Sequence, residues 1–351
     1  SRIGEKPFDS TGNEADSHSP TEPAEPSGGG SGHGKRKTTP ETFNTNFHTA
    51  MITKLSQIVE EAQKKGRKRL AVAYGQDSHT LSAVYDAYNE GLVEPTLYGD
   101  KQVIEEVCGA EGIDCSIFKI VDEKSDVNCV RLAVAAVVAG DADVLMKGLV
   151  STDKYMRGIL NKDAGLFPPK GVLSHVAILE MPSLPKLLCI SDVAVIPAPD
   201  FKQKQKLIGY LIQTARLLGI DTPKIACIAP SEQVLPSVPS STEGAILAKM
   251  GDRGQLGNAI VDGPLSLDVA LYKEVAEHKK VKGSAVAGDP DCLLFPNIES
   301  ANVFFKAATH FGGAELAAMV MGTKVPCVLT SRGDSRLTKM YSIALACLAA
   351  R

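Results

Sequence analysis

The segment VPCVLTSRGDSRLTKMYSIALA, beginning at Val325, holds the residue types best suited to gripping an anion. An apolar run delivers Ser331 and Arg332 to a turn, Gly333 lets the backbone bend, and a helix follows. A helix start attracts negative charge through its unpaired N–H groups and its dipole. An arginine beside it adds a planar, permanently charged fork that matches phosphate. The same residues also fit an ordinary capped helix with a surface arginine.

A second segment, MKGLVSTDKYMRGIL from Met146, has a similar design. A strand runs into Lys147 and Gly148, Ser151 and Thr152 open a helix, and Arg157 lies near the end of its second turn. The plainer alternative is an N-cap at Ser151 or Thr152, with Lys147 and Arg157 on a solvated face. A third stretch offers Asn297, Asn302, Lys306 and the pair Gly312–Gly313. Paired glycines permit close backbone approach, either to a ligand or to another helix. His175 sits at the edge of the apolar run LSHVAILEMP and reads as a satisfied core histidine rather than a catalyst. No Ser–His–Asp set and no clustered metal ligands can be assembled.

The elements that would carry these residues follow from the hydrophobic pattern. Short β-rich runs occur at LAVAY (70–74), SIFKIV (116–121), DVLM (143–146), LLCI (187–190), KIACIA (224–229), AIVDG (259–263), CLLF (292–295) and VPCVLT (325–330). Helix-length segments alternate with them, including Val127–Ala139, Lys202–Leu218, Leu267–Glu277 and Ser335–Ala349. The last is expected to place Leu337, Met340, Ala344 and Leu348 on one face. Such alternation implies an α/β fold with a largely parallel sheet. Ligands in such sheets bind beyond the carboxyl ends of strands, where Tyr74–Gly75, Lys147–Gly148 and Ser331–Arg332 fall.

Composition narrows the class. The 351 residues carry a formal net charge of -3, which gives no reason to expect nucleic-acid binding. Apolar residues make up 44%, yet no run approaches the roughly 20 residues that span a bilayer, so no membrane partner is expected. The eight cysteines form no C-x-x-C pair and most sit in apolar runs, which predicts buried thiols in a reducing, cytoplasmic setting. Residues 1–49 are rich in Ser, Gly, Pro, Thr and Glu and are expected to be a disordered N-terminal extension, an artificial remnant or the rest of a processed leader. Met51 is expected to open an amphipathic helix. Gly29, Gly34 and Lys35 nearly spell a phosphate-binding loop, but Arg36 stands where Ser or Thr is needed and no strand precedes it.

From about Met51 to Arg351 the chain resembles the phosphate acetyl/butyryl transferase family, and most of all its butyryl branch. KGLVSTDKYMRGIL, LSHVAILEMP, IVDGPLSLDVAL, LFPNIESANVFFKA and LTSRGDSRLTKMYSIALA carry the resemblance, in the expected order. It implies a two-domain α/β/α architecture similar to the isocitrate and isopropylmalate dehydrogenase fold, with the active site in the interdomain cleft. The expected division is 50–167 with 324–351 as one domain and 168–323 as the other. The implied reaction is acyl-CoA plus phosphate giving acyl phosphate plus coenzyme A, catalysed by a homodimer or larger homo-oligomer with no permanently bound cofactor.

The resemblance assigns catalysis to Ser331 and Arg332 and substrate binding to Arg157. From the residues themselves, Asp334 is the nearest candidate base, with capping of the last helix as its alternative, and Lys147, Gly148, Ser151, Thr152, Asn302, Lys306, Gly312 and Gly313 are further binding candidates. The acetyl branch carries an acidic residue seven positions after the serine, where this chain has Thr338. A second anion-binding arginine of that branch has no match. The rival readings are an acetyl-specific transferase, a non-catalytic acyl-CoA or acyl-phosphate binding protein, and a decarboxylating dehydrogenase, whose metal-binding aspartates are not found.

Overall fold

The computed structural model describes residues 50–351, so the readings made for residues 1–49, including the near phosphate loop, lie outside the described residues. The first part of the described chain runs α1 (Leu55–Lys64), β1 (Lys68–Ala73), α2 (Ser78–Asn89), β2 (Val93–Gly99), α3 (Lys101–Glu111), β3 (Lys119–Asp122), α4 (Asp126–Ala139), β4 (Val144–Lys147) and α5 (Thr152–Leu160). The middle part runs β5 (Ser174–Glu180), β6 (Leu188–Ser191), α6 (Phe201–Leu217), β7 (Lys224–Ile228), α7 (Pro239–Asp252) and β8 (Ile260–Leu265). The last part runs α8 (Leu267–Leu271), α9 (Lys273–His278), β9 (Cys292–Leu294), α10 (Ile298–His310), β10 (Glu315–Met321), β11 (Cys327–Val328) and α11 (Arg336–Ala349).

The strands form one sheet in the order β3-β2-β1-β4-β11-β10-β5-β6-β9-β7-β8. Most neighbours are parallel, as the alternation predicts. The exceptions lie mid-sheet, where β10 is antiparallel to both β11 and β5, and β5 is antiparallel to β6. The parallel strands on either side therefore run in opposite directions. β1 is typical of a buried parallel strand: Leu70 and Val72 serve the core on one face, Ala71 and Ala73 the core on the other.

The two faces are covered differently. On one, α1, α2, α3, α6, α7 and α11 pack a single continuous core that spans the sheet, from Leu81 and Ile104 to Leu211 and Leu247. The opposite face carries two separate cores. One, with Tyr155 and Ile159 of α5 and Val130 of α4, covers β1, β4 and β11. The other, with Val269 of α8 and Ala301 of α10, covers β5, β6, β9 and β7. Their boundary falls on β10, where Ala318 belongs to the second core and Val320 to the first. His175, paired in register with Val320, lies on that boundary.

Several sequence expectations are corrected. Met51 precedes α1, which starts at Leu55. SIFKIV is broken by a 3-10 turn at Cys115–Ile117, because Asp114 accepts a hydrogen bond from the Ser116 amide and holds the chain out of strand geometry. Leu267–Glu277 is two short helices that part at Tyr272, whose backbone is extended. Only Cys327 and Val328 of VPCVLT enter the sheet. Leu337 is 41% exposed, off the buried face that Met340, Ala344 and Leu348 share. The predicted runs omit β2, β5 and β10: Pro95 interrupts the first pattern, SHVAILE reads only as an apolar run, and the small residues of ELAAMVM read equally well as helix.

Candidate active site

β1 and β4 end side by side, and their turns interlock. Gly148 donates its amide to the Ala73 carbonyl at 2.9 Å, and Leu149 donates to Tyr74 at 2.9 Å. A Cβ on Gly148 would lie 2.3 Å from the Tyr74 carbonyl oxygen, so no larger residue fits there. Tyr74 itself takes a φ of 57°, a costly conformation for an aromatic residue, and so turns the chain toward Asp77.

This crossing buries Lys147 at the strand end. Its Nζ donates to the carbonyls of Gly148 (3.1 Å) and Val150 (2.9 Å). The solvated-face reading of Lys147 is therefore wrong: the side chain is 6% exposed. Ser151 caps α5 by accepting from the Lys154 amide, and Thr152 begins the helix. The Tyr155 hydroxyl donates to the Val328 carbonyl at 3.0 Å and ties α5 to the end of β11.

Beyond Val328 the chain makes the loop that holds Ser331, Arg332 and Gly333, all exposed. Three hydrogen bonds shape it. The Ser331 amide donates to Asp334 Oδ2 at 2.7 Å. Lys339 Nζ, from the first turn of α11, donates to the carbonyls of Ser331 (3.0 Å) and Asp334 (2.8 Å). Capping, the alternative role for Asp334, falls to its neighbour: Ser335 caps α11 by accepting from the Thr338 amide at 3.0 Å, which frees the Asp334 carboxylate to brace the loop. Thr338, at the position where the acetyl branch has its acidic residue, is buried and accepts from the Ser335 hydroxyl. Among the described residues the Ser331 hydroxyl makes no hydrogen bond.

The β1, β4 and β11 loops share one electrostatic field. Burial pushes the Lys147 ammonium below its ordinary value; the Asp77 carboxylate opposes this, while Arg332 and Lys339 add to it. Burial also pushes Lys339 down, against the pull of Asp334 and Asp77. Two desolvated ammonium groups and a guanidinium thus gather where, among the described residues, Asp77 and Asp334 are the negative charges that act on the lysines. Such a concentration of positive charge at strand ends suits a multiply charged anion.

The remaining candidates have their own contacts on α5 and α10. Arg157 is exposed on α5 and pairs with Asp153 at 3.1 Å on its own helix. Asn297 caps α10, and Asn302 donates to the Val193 carbonyl at 3.2 Å. Lys306 lies 5.4 Å over the Phe305 ring. Gly312 and Gly313 form the exposed turn after α10, where Gly313 takes a φ of 66° and a Cβ on Gly312 would meet its own helix at Ala308. None of these hydrogen-bonds or ion-pairs with the Ser331 or Lys147 loops. His175 is buried as expected but unsatisfied: neither ring nitrogen has a hydrogen-bond partner, and burial pushes the imidazole below its ordinary value against Asp192 and Asp334. Sequence reasoning passed over Asp77 and Lys339. Asp77 follows the recognised Tyr74–Gly75 turn by two residues, whereas Lys339 is hidden inside an otherwise ordinary amphipathic helix.

Comparison with known proteins decides the family. The family model described as phosphate acetyl/butaryl transferase matches residues 54–129 and 125–347. The chain belongs to the phosphate acetyl/butaryl transferase family. It is 42% identical to a phosphate butyryltransferase of Clostridium acetobutylicum, over 86% of this chain and 99% of that protein. It is 40% identical to a phosphate acetyltransferase of Thermotoga maritima, over 83% of this chain and 98% of that one. A branched-chain phosphotransacylase from Enterococcus faecalis superposes with a TM-score of 0.71 at 29% identity, covering 81% of this chain and all of its own. As a member of this family the protein is an acyltransferase working between an acyl-CoA and phosphate.

Proposed function

We propose that the protein is a phosphate butyryltransferase, moving a short acyl group such as butyryl between coenzyme A and phosphate in the groove between the two cores of one sheet face. The observation that carries this reading is the Ser331–Asp334 loop, which holds a free hydroxyl and an exposed guanidinium beside two buried ammonium groups. Relatives named for butyryl transfer favour butyryl over acetyl. The buried Thr338, in place of an acid, favours the same branch.

In this reading Arg332 and the neighbouring lysines hold phosphate and cancel the repulsion between its charge and the electron-rich thioester oxygen. That fixes one phosphate oxygen at attack distance from the carbonyl carbon. Attack places negative charge on the thioester oxygen, where the Ser331 hydroxyl is the available donor. The Ser331 amide is already committed to Asp334, and the Thr338 amide of α11 to Ser335. Collapse of the adduct breaks the carbon–sulfur bond and expels the coenzyme A thiolate, a better leaving group than an alkoxide. Asp334 acts by holding the loop, and Arg157 takes part after leaving Asp153, a surface pair of about 0.3–0.5 kcal/mol.

The proposed groove would lie between two lobes, 50–167 with 324–351 and 168–323, a division that the break between cores on β10 supports. Exposed Phe311 and Val303 near and on α10 support self-association into a homodimer or larger assembly. Eight unpaired cysteines fit a cytoplasmic setting. The test is free-thiol release from acetyl-, butyryl- and branched acyl-CoA with and without phosphate. Phosphate-dependent release that is fastest with butyryl-CoA is expected; no phosphate dependence with any acyl-CoA overturns the reading.

A further inference from the structure

Asp77 poses a problem that its role as a helix cap does not solve. One carboxylate oxygen, Oδ2, accepts from the Thr80 amide at 3.1 Å and caps α2. The other, Oδ1, is shielded from solvent and has no hydrogen-bond partner. Leaving a charged acceptor buried and unpaired is costly. The cations are near enough to feel it, since Asp77 acts on both Lys147 and Lys339, yet neither forms an ion pair with it.

The two ammonium groups show the complementary vacancy. Each has three N–H donors. Lys147 gives two of them to Gly148 and Val150, and Lys339 gives two to Ser331 and Asp334. Among the described residues one N–H remains on each, and the Arg332 guanidinium, exposed and without an ion pair, adds more donors. Together these residues call for a group that accepts several hydrogen bonds and donates one. Hydrogen phosphate has that pattern: three acceptor oxygens and one P–OH. Sulfate has the same size, shape and charge, but carries no proton near neutral pH.

We infer that Asp77 accepts the hydrogen bond of the phosphate P–OH and makes the site selective for protonated tetrahedral oxyanions over sulfate. This rests on the phosphate-using reaction proposed above and adds the residue that reads the proton. Against sulfate, the shielded Asp77 Oδ1 and the anion would face each other as two acceptors with no hydrogen between them. A site built to hydrogen-bond a group rejects analogues lacking it by large factors, up to about 10⁴-fold. The lysines and Arg332 cannot discriminate, because they offer donors to either anion equally.

The experiment compares phosphate, arsenate and sulfate on the full chain. Binding is read from the ligand-induced rise in melting temperature, and competition from the inhibition constant of sulfate against phosphate in thiol release. The wild-type protein should bind phosphate and arsenate at least about a hundredfold more tightly than sulfate. Asp77→Asn keeps a good N-cap but replaces the acceptor by an amide that can donate, so sulfate should tighten and phosphate weaken, closing the gap at least tenfold. Asp77→Ser, another good cap, should narrow the gap as well and guards against an Asn-specific folding defect. Equal binding of sulfate and phosphate by the wild type overturns the inference, as does an unchanged ratio in both variants. Absence of any phosphate-dependent thiol release overturns the underlying reaction instead, so the two failures are distinguishable.

Discussion

The main-chain amide of Ser331 donates to the carboxylate of Asp334, three residues on, at 2.7 Å. This bond, together with the Lys339 tether across the same loop, sets where the Ser331 hydroxyl and the Arg332 guanidinium stand. Asp334 is thereby a positioning residue rather than a base. Asp334→Ala should lower kcat/KM by about 10- to 100-fold, because a small misplacement of reacting groups is expensive. Asp334→Asn, which keeps an acceptor for the Ser331 amide, should retain most activity. The pH–rate profile should keep its shape in both; loss of an acidic limb in Asp334→Asn would restore the base assignment.

Arg332→Ala removes an exposed side chain that makes no structural hydrogen bond, so the melting temperature should hold within a degree or two. Phosphate-dependent turnover should drop about 10²- to 10³-fold, the usual scale for loss of a charge-stabilising donor. Arg157→Ala should cost less, since that guanidinium stands on α5 in a pair with Asp153. Steady-state kinetics with phosphate varied at saturating acyl-CoA gives both numbers; a larger loss from Arg157→Ala would reverse the order of importance.

Lys147 makes a prediction about alkaline pH. Burial places its folded pKa below the unfolded value of 10.5. The unfolded chain therefore binds more protons across the window from the folded pKa up to 10.5, and stability contributed by this group rises with pH through that window. Below it the desolvation cost is fully present. Lys147→Met should lack this rise, so urea midpoints of wild type minus variant should climb as pH increases into the window. The uncharged amine also ceases to attract phosphate, so the wild-type KM for phosphate should increase over the same range. Parallel stability curves for the two proteins would sink the assignment.

Gly148→Ala tests the interlocked turns directly. The added methyl would sit 2.3 Å from the Tyr74 carbonyl oxygen, and backbone cannot yield as a flexible side chain does. Overpacking of this kind costs about 1–3 kcal/mol, measurable as a lowered midpoint in denaturant. Activity should fall as well, because the shift displaces Lys147 and the turn leading to Asp77.

Much of this site was legible before any coordinates. The Ser331–Arg332 turn and the strand ending at Lys147 are marked by an apolar run that stops at a small residue followed by a helix signal, and both stand where the pattern places them. Ser151 reads correctly as a cap because its hydroxyl competes for the first free amide of α5. What local pattern cannot reveal is which side chains turn inward. Lys147 is buried only because the β1 turn crosses over it, and Lys339 reaches back from α11 to a loop that bends through a carboxylate bond. Asp77 looks like any helix cap until the partnerless oxygen is seen. Asn302, Gly312 and Gly313 are ambiguous by type, and their neighbours give each of them structural work.

The placement of β11 has a consequence for assembly. This two-residue strand follows every other strand in sequence but fills the slot between β4 and β10, and α11 then closes the continuous core behind it. The strands on either side of that slot meet nowhere else in the sheet, so the two halves stay unjoined until residues 327–349 dock. Closing the sheet and carrying the serine–arginine turn to the ends of β1 and β4 are therefore one folding event.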